Sequence, residues 1–298
     1  MNNLRGILLM IVAMAGFTLE DAFVKMAAAT LPVGQILLII GVGGTAIFAA
    51  LARAGGARLI TPVLLTRPVM IRNLAEMLGT MAFISAIAVT PLSTVSAIIQ
   101  ATPLAVTLGA ALFLGATVGW RRWTAILVGF AGVLLIVRPG GAAFDLGALL
   151  AVFAVFMLAA RDLATRVVPG RISSMVLATY GFATVIPAGA ILLVFSGGAV
   201  MPDRGAWLAL LGALAVGPVA YYAIIASVRV GDIVVVTPFR YTRLLFALVV
   251  GGLVFDERPD ALMLTGAAII IVSGLYTFVR EARLARGPRP LPPEAPGG

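Results

Sequence analysis

The chain has 298 residues, 61% of them hydrophobic and 11% charged, with a formal net charge of +9. A soluble globular chain carries about 25% charged residues, so this much apolar surface has lipid as its solvent, and the positive charge is read as membrane orientation, not as nucleic-acid binding. With no cysteine and no histidine, disulfides, thiol nucleophiles, haem attachment, the common zinc sites and histidine proton relays are excluded.

A hydrocarbon core of ~30 Å takes about 20 apolar residues per helix. Runs of that length fill most of the chain, and the short alternating segments of a β-barrel are absent. In chain order the hydropathy predicts ten spans: 4–28, 33–52, 68–89, 93–116, 120–138, 145–166, 173–197, 204–229, 233–255 and 260–280. Pro32, Pro68, Pro91, Pro139, Gly170, Pro202, Gly231 and Pro259 punctuate the gaps, which leave no room for an inserted soluble domain. Arg5 and "AMA" (Ala13 to Ala15) loosely match a secretory signal. The apolar run starts too close to that site for a proper h-region, so it is read as the first span. The Pro-rich polar tail, "RLARGPRPLPPEAPGG", is expected to be disordered.

With the N-terminus inside, Arg5, Arg53, Arg58, Arg67, Arg72, Arg121, Arg122, Arg166, Arg171, Arg229, Arg283, Arg286 and Arg289 fall on the cytoplasmic side. Lys25, Arg138, Arg204 and Arg258 fall on the other, and the bias predicts that both termini are cytoplasmic.

The chain repeats itself. Thr102-Pro103 in "QATPLAVTLGAALFLG" matches Thr237-Pro238 in "VVTPFRYTRLLFALVVG", each early in the fourth span of its half. "LEDAFVK" matches "ARDLATR", with Asp21 and Lys25 against Asp162 and Arg166, four apart and so on one helix face. The predicted architecture is all-α: a five-helix half at 1–140, a second at 141–283 and a tail at 284–298. Five is odd, so the second half is threaded the opposite way. Inverted repeats are typical of secondary carriers that bind near the midplane between the halves. Glu20, Asp21 and Lys25 then lie near one mouth, and Arg161, Asp162 and Arg166 near the other. They are expected to act as gates, or to form i,i+4 ion pairs that set helix depth.

With these motifs the sequence resembles the drug/metabolite transporter superfamily, in particular its EamA-type branch, over nearly its whole length. The most specific stretch is "TPFRYTRLLFALVVGGLVFDERPDALMLTGAAIIIVSGLY": a Pro-bearing ninth span, Glu257 after it, and a tenth span with Gly266 and Gly274. "GFAGVLLI" (Gly129 to Ile136) is its counterpart in the first half, where Gly119 and Trp120 replace the Glu. The resemblance implies export of amino acids and related metabolites across a bacterial inner membrane, by alternating access, with no cofactor. It also keeps open an antiporter of sugar phosphates or nucleotide sugars. The loop Glu is expected to serve packing more than transport.

Ionisable groups at mid-membrane depth usually face a cavity or a partner. Glu76 in span three and Arg240 and Arg243 in span nine qualify. Arg suits a carboxylate, and Glu76 could meet an ammonium or pair with Arg240 when the site is empty. The rival assignment is a permanent Glu–Arg pair that pins span three to span nine. Tyr221, Tyr222 and Tyr241 are candidate aromatic walls, favouring large apolar or aromatic side chains, and Gln100 and Thr102 are polar at cavity depth. Pro103, Pro238, Pro187 and Pro218 are expected to interrupt helices, with hinges at Pro103 and Pro238. An intramembrane enzyme lacks its residues here, and a channel would want a ring of like charges or a carbonyl filter. The expected partners are a small-molecule substrate and the bilayer, with the chain acting as a monomer.

Overall fold

In the computed structural model, residues 2–116, 118–139, 145–168 and 172–285 are described. Gly170, Arg171 and the tail from 286 onward lie outside them. Among the described residues the chain is all helix, with ten stretches long and apolar enough to cross a membrane. The elements are α1 (Asn3–Ala28), α2 (Val33–Ala54), α3 (Arg67–Val89), α4 (Leu92–Ile99), α5 (Thr102–Phe113), α6 (Trp120–Val137), α7 (Leu146–Arg166), α8 (Ser174–Phe195), α9 (Arg204–Val230), α10 (Ile233–Val236), α11 (Thr242–Phe255) and α12 (Ala261–Ala285). Short 3₁₀ turns occupy Pro62–Leu65 and Thr237–Tyr241.

Local chemistry sets the helix starts. The side chains of Asn2, Asp145, Ser173 and Asp203 accept hydrogen bonds from N–H groups of the first turns of α1, α7, α8 and α9. Pro68 and Pro103 lie where a helix has no use for the missing N–H. The chain thus crosses ten times, and span four (α4–α5) and span nine (α10–α11) are each broken.

The two halves interlock. α1 packs on α9, α3 on α7, α2 on α8, α6 on α12, and α4 on α11. Every one of these pairs joins one half to the other. At two of them glycine is required by close approach. A Cβ on Gly34 of α2 would stand 2.7 Å from the Gly189 carbonyl of α8, and one on Gly132 of α6 would stand 2.7 Å from that of Gly266 in α12. Small residues let membrane helices approach backbone to backbone, where lipid offers no hydrophobic drive to hold them.

The expectation for the prolines holds at only two of four positions. α8 and α9 run unbroken through Pro187 and Pro218, because neighbouring helices in lipid tolerate a lost hydrogen bond inside a packed helix. At Pro103 the helix stops. The Ile99 carbonyl, which a residue with an N–H at 103 would have engaged, accepts instead from Thr102 Oγ1 at 2.7 Å. At Pro238 the chain winds through the 3₁₀ turn, where Thr242 Oγ1 donates to the Phe239 carbonyl at 2.6 Å.

Candidate substrate-binding site

The breaks in spans four and nine meet. Gln100, between α4 and α5, donates from Nε2 to the carbonyl of Arg240 in the 3₁₀ turn at 3.3 Å. Thr18 of α1 joins the same region, donating to the Arg243 carbonyl at 3.4 Å as well as to Met14 in its own helix at 3.0 Å. Discontinuous helices brought together this way put polar backbone at the middle of a bundle, where irregular chain is tolerated only beside protein or a water-filled cavity.

The two arginines of span nine have different surroundings. Arg243 Nη2 binds Asp21 Oδ2 at 2.6 Å, and its guanidinium lies over the rings of Phe17 and Phe83, each at 5.6 Å. Arg240 is exposed, and among the described residues its guanidinium has no hydrogen-bond or ion-pair partner. Its electrostatic neighbours are Asp162, Arg161, Arg243 and Tyr241. Tyr241 lies against α12, where its hydroxyl occupies the space beside Gly274.

Glu76 does not pair with Arg240. It accepts from Arg72 at 3.1 Å, from Arg161 of α7 at 3.1 Å and from Thr80 at 3.5 Å. Arg161 also holds Asp162 at 2.8 Å. Arg72, read from the sequence only as a charge on or near the cytoplasmic side, is a buried member of this network, 6% exposed. Of Arg161 and Asp162, expected at a mouth, Arg161 joins α7 to α3 through Glu76 and Asp162 is bound by Arg161. Tyr221 borders the cluster, its ring edge-on to Phe48 at 5.0 Å and its hydroxyl donating to the Ser174 carbonyl at 3.4 Å. Tyr222, one residue on, turns away and is 64% exposed. Thr102 spends its hydroxyl on the helix break.

The i,i+4 pairs expected of Asp21 with Lys25 and of Asp162 with Arg166 do not form. Both partners of the first look outward to other helices, and Asp162 is taken by its neighbour. Arg166 is exposed at the end of α7. Lys25 Nζ donates to the carbonyls of Thr90 at 2.6 Å and Ile87 at 3.2 Å and lies 3.6 Å from Glu257 Oε1. Glu257 in turn accepts from the Leu92 and Ser93 N–H groups at 2.6 and 2.9 Å and from Ser93 Oγ at 2.7 Å. The loop Glu therefore does more than pack. It fastens span one, the start of span four and the end of span nine together at one end of the bundle. Thr90 Oγ1 meets Asp145 beside this knot.

A cavity of about 240 Å³ opens at the same end, bordered by Thr94, Asp145, Glu257 and Asp260. On its rim Arg138 binds Asp260. This hydrogen bond, with one from the Met263 N–H, holds the Asp260 carboxyl below the usual carboxylate range. The central arginines do not line this cavity, so it is a vestibule and not the site between the breaks.

The pairing of Arg72 and Arg161 with Glu76 and the capping role of Glu257 are not legible in the sequence. The only signal for them was depth: Arg72 and Arg161 fall inside predicted spans, where a charge is a site candidate by default.

A sequence profile of the EamA-like transporter family matches residues 4–138 and 145–279. The chain is 31% identical over 277 residues to the pseudopaline exporter CntI of Pseudomonas aeruginosa, covering 90% of this chain and 94% of that one. It is 31% identical over 193 residues to a riboflavin transporter of Vibrio cholerae, covering 65% of this chain and 64% of that protein, just under two thirds of its length. It is 26% identical over 217 residues to an S-adenosylmethionine uptake transporter of Rickettsia felis, with 72% of each covered. A solved structure described only as "crystal structure of protein" superposes with a TM-score of 0.63 at 21% identity, covering 95% of this chain and 99% of that one, which speaks for the fold alone.

Proposed function

Because the chain belongs to the EamA-like transporter family, we propose that it is a secondary carrier of the bacterial inner membrane that exports amino acids or closely related metabolites by alternating access. In this reading a single chain suffices, both termini are cytoplasmic, and the substrate sits between the breaks of spans four and nine. The observation that carries it is Arg240: an exposed guanidinium without a partner, at a helix break, in a bundle whose neighbouring charges are paired. A guanidinium without a partner is a charged, planar pair of hydrogen-bond donors that suits a carboxylate. Gln100 fixes the backbone that presents it, and Tyr221 and Tyr241 supply ring surface nearby.

The end closed by Lys25, Glu257 and the α4 N-terminus is then the outer gate, shut in this conformation. Arg161, Asp162 and Glu76 tie α7 to α3 in the opposite half. Exchange between states would release one set and tighten the other. Pro103 and Pro238, both at breaks, are the hinges.

The relatives' names support a metabolite carrier. Their cargoes include a vitamin, an exported metabolite and a derivative of methionine, moved outward in one case and inward in another. The antiporter of phosphorylated metabolites is weakened by Asp21. With Arg243 already neutralised, the site offers one free guanidinium, which matches a monoanionic carboxylate better than a doubly charged phosphate.

The test is efflux from proteoliposomes loaded with labelled phenylalanine, threonine or methionine, with a sugar phosphate in parallel. Saturable amino-acid efflux, stimulated by counter-substrate and lost in Arg240→Ala, is the expected result. Exchange of sugar phosphate without amino-acid efflux overturns the substrate class. Flux that neither saturates nor responds to counter-substrate overturns the carrier mechanism.

A further inference from the structure

The two segments matched by the family profile begin 141 positions apart, at 4 and 145. The same spacing sets Asp21 against Asp162, Glu20 against Arg161, and Glu76 against Gly217. The equivalent positions meet in equivalent helix pairs of the fold. Where α7 packs on α3, Arg161 meets Glu76 at 3.1 Å. Where α1 packs on α9, Glu20 meets Gly217: a Cβ there would stand 2.6 Å from Glu20 Oε1 and 2.8 Å from its Cδ. One half sets a cation against an anion. The other sets an anion against a glycine.

Among the described residues the Glu20 carboxylate has no hydrogen bond or ion pair. The charged groups that face it are Asp21 on its own helix and Arg243 from span nine, and these two are bound to each other. The other helix packed closest, α9, presents Gly217 at this depth. A bare carboxylate inside a membrane helix bundle is costly and marks a site whose partner comes and goes. The partner that matches a single carboxylate between two helices is a single positive charge, such as an organic ammonium.

We propose that Glu20, in the recess left by Gly217, binds an organic ammonium group, taking from the ligand the cation that Arg161 gives to Glu76 in the other half. The assignment rests on the carrier reading and deepens it. Arg240 and Glu20 flank the Asp21–Arg243 pair, so the substrate is a zwitterion whose acid and amine are held by different helices. It also moves the amine site from Glu76, which is saturated, to Glu20, which is not.

The test uses the full chain in proteoliposomes and dicyclohexylcarbodiimide, an apolar reagent for unpaired membrane carboxyls, with labelling at each acid read by peptide mass spectrometry. Glu20 should be labelled while Glu76 and Asp21 are spared. Butylammonium at ten times its dissociation constant should slow labelling of Glu20 about tenfold, whereas butyrate should not. Gly217→Ala pushes the Glu20 carboxylate out of the recess it occupies and should keep the labelling but abolish the protection, and Glu20→Gln should remove the labelled peptide. Absence of labelling at Glu20, or equal effects of butylammonium and butyrate, overturns the site. Labelling that follows pH alone, with no effect of butylammonium, makes Glu20 a proton carrier and also overturns it. Protection by butylammonium without amino-acid efflux keeps this site and removes the amino-acid reading, and efflux without protection does the reverse.

Discussion

Spans four and nine break at the same Thr-Pro pair, yet 67% of the membrane-crossing stretch of span four is buried against 17% of that of span nine. Span four is wrapped by α6, α7, α11 and α12, and its buried residues are Leu, Val, Ala and Ile with Ser93, Ser96 and Gly109 among them. Span nine rests on α1, α4 and a few residues of α12, and, counted from the Thr-Pro pair of each span, it carries two arginines where span four has Ala105 and Leu108. The break was retained in both halves and the chemistry in only one. One broken span serves as an inner post. The other carries Arg240 exposed and Arg243 bound to Asp21.

That contrast can be broken most forcefully at Asp21. Removing one member of a buried ion pair costs about 3–5 kcal/mol, because the remaining charge is left uncompensated. Asp21→Ala should therefore lower the unfolding midpoint in detergent by far more than any change in span four. If it is neutral, Arg243 is not the anchored member of the pair of arginines. Arg240→Gln should leave stability near wild type. It should lower transport efficiency about 10- to 100-fold, since a hydrogen bond to a charged group is worth about 1.5–3 kcal/mol. Arg240→Lys should recover only part of it, because the bidentate geometry is gone. Counterflow kinetics on the two variants would separate these outcomes, and a loss of stability without a loss of transport would reverse the assignment of Arg240 and Arg243.

The link between the breaks is weaker. Gln100→Leu removes one neutral hydrogen bond, worth about 0.5–1.5 kcal/mol, and should raise the proteolytic sensitivity of span nine more than that of span four. Equal effects on both would mean that the two breaks are independent. The smallest effect belongs to the vestibule. The Asp260 carboxyl is depressed by its hydrogen bond from Arg138, so its contribution is present above the ordinary carboxylate pKa and is lost as pH falls through the lower, folded value. The stability of Asp260→Asn should therefore differ slightly from wild type at neutral pH and converge with it in acid. Melting curves at a series of acidic pH values check the sign.

The number of spans, their ends and the repeat were legible because each is a local property. A run of about 20 apolar residues crosses a bilayer wherever it sits in the chain, and Thr102-Pro103 and Thr237-Pro238 are alike by inspection. The breaks at Pro103 and Pro238 could be told from the unbroken turns at Pro187 and Pro218 only by what packs around each. Depth also flagged Glu76, Arg240 and Arg243 as site candidates. Depth does not say which charge meets which, as the pairing of Glu76 with Arg72 and Arg161 shows, and spacing does not fix the side of α9 on which Tyr222 lies.

What the sequence determined by itself is therefore the solvent, the ten crossings and the duplicated five-helix plan, because hydropathy and helix period act within one segment. The tertiary structure decided which charges are paired. Asp21 and Arg243 are separated by 222 positions, Lys25 and Glu257 by most of the chain, and Glu76 and Arg161 by 85. Within a helix the four-residue spacing offered Asp21 to Lys25 and Asp162 to Arg166, and in water such pairs would be natural. In lipid the bundle interior offers better-desolvated partners on neighbouring helices, so the interhelical pairs prevail, and among the described residues Arg240 and Glu20 are left without an ion-pair partner.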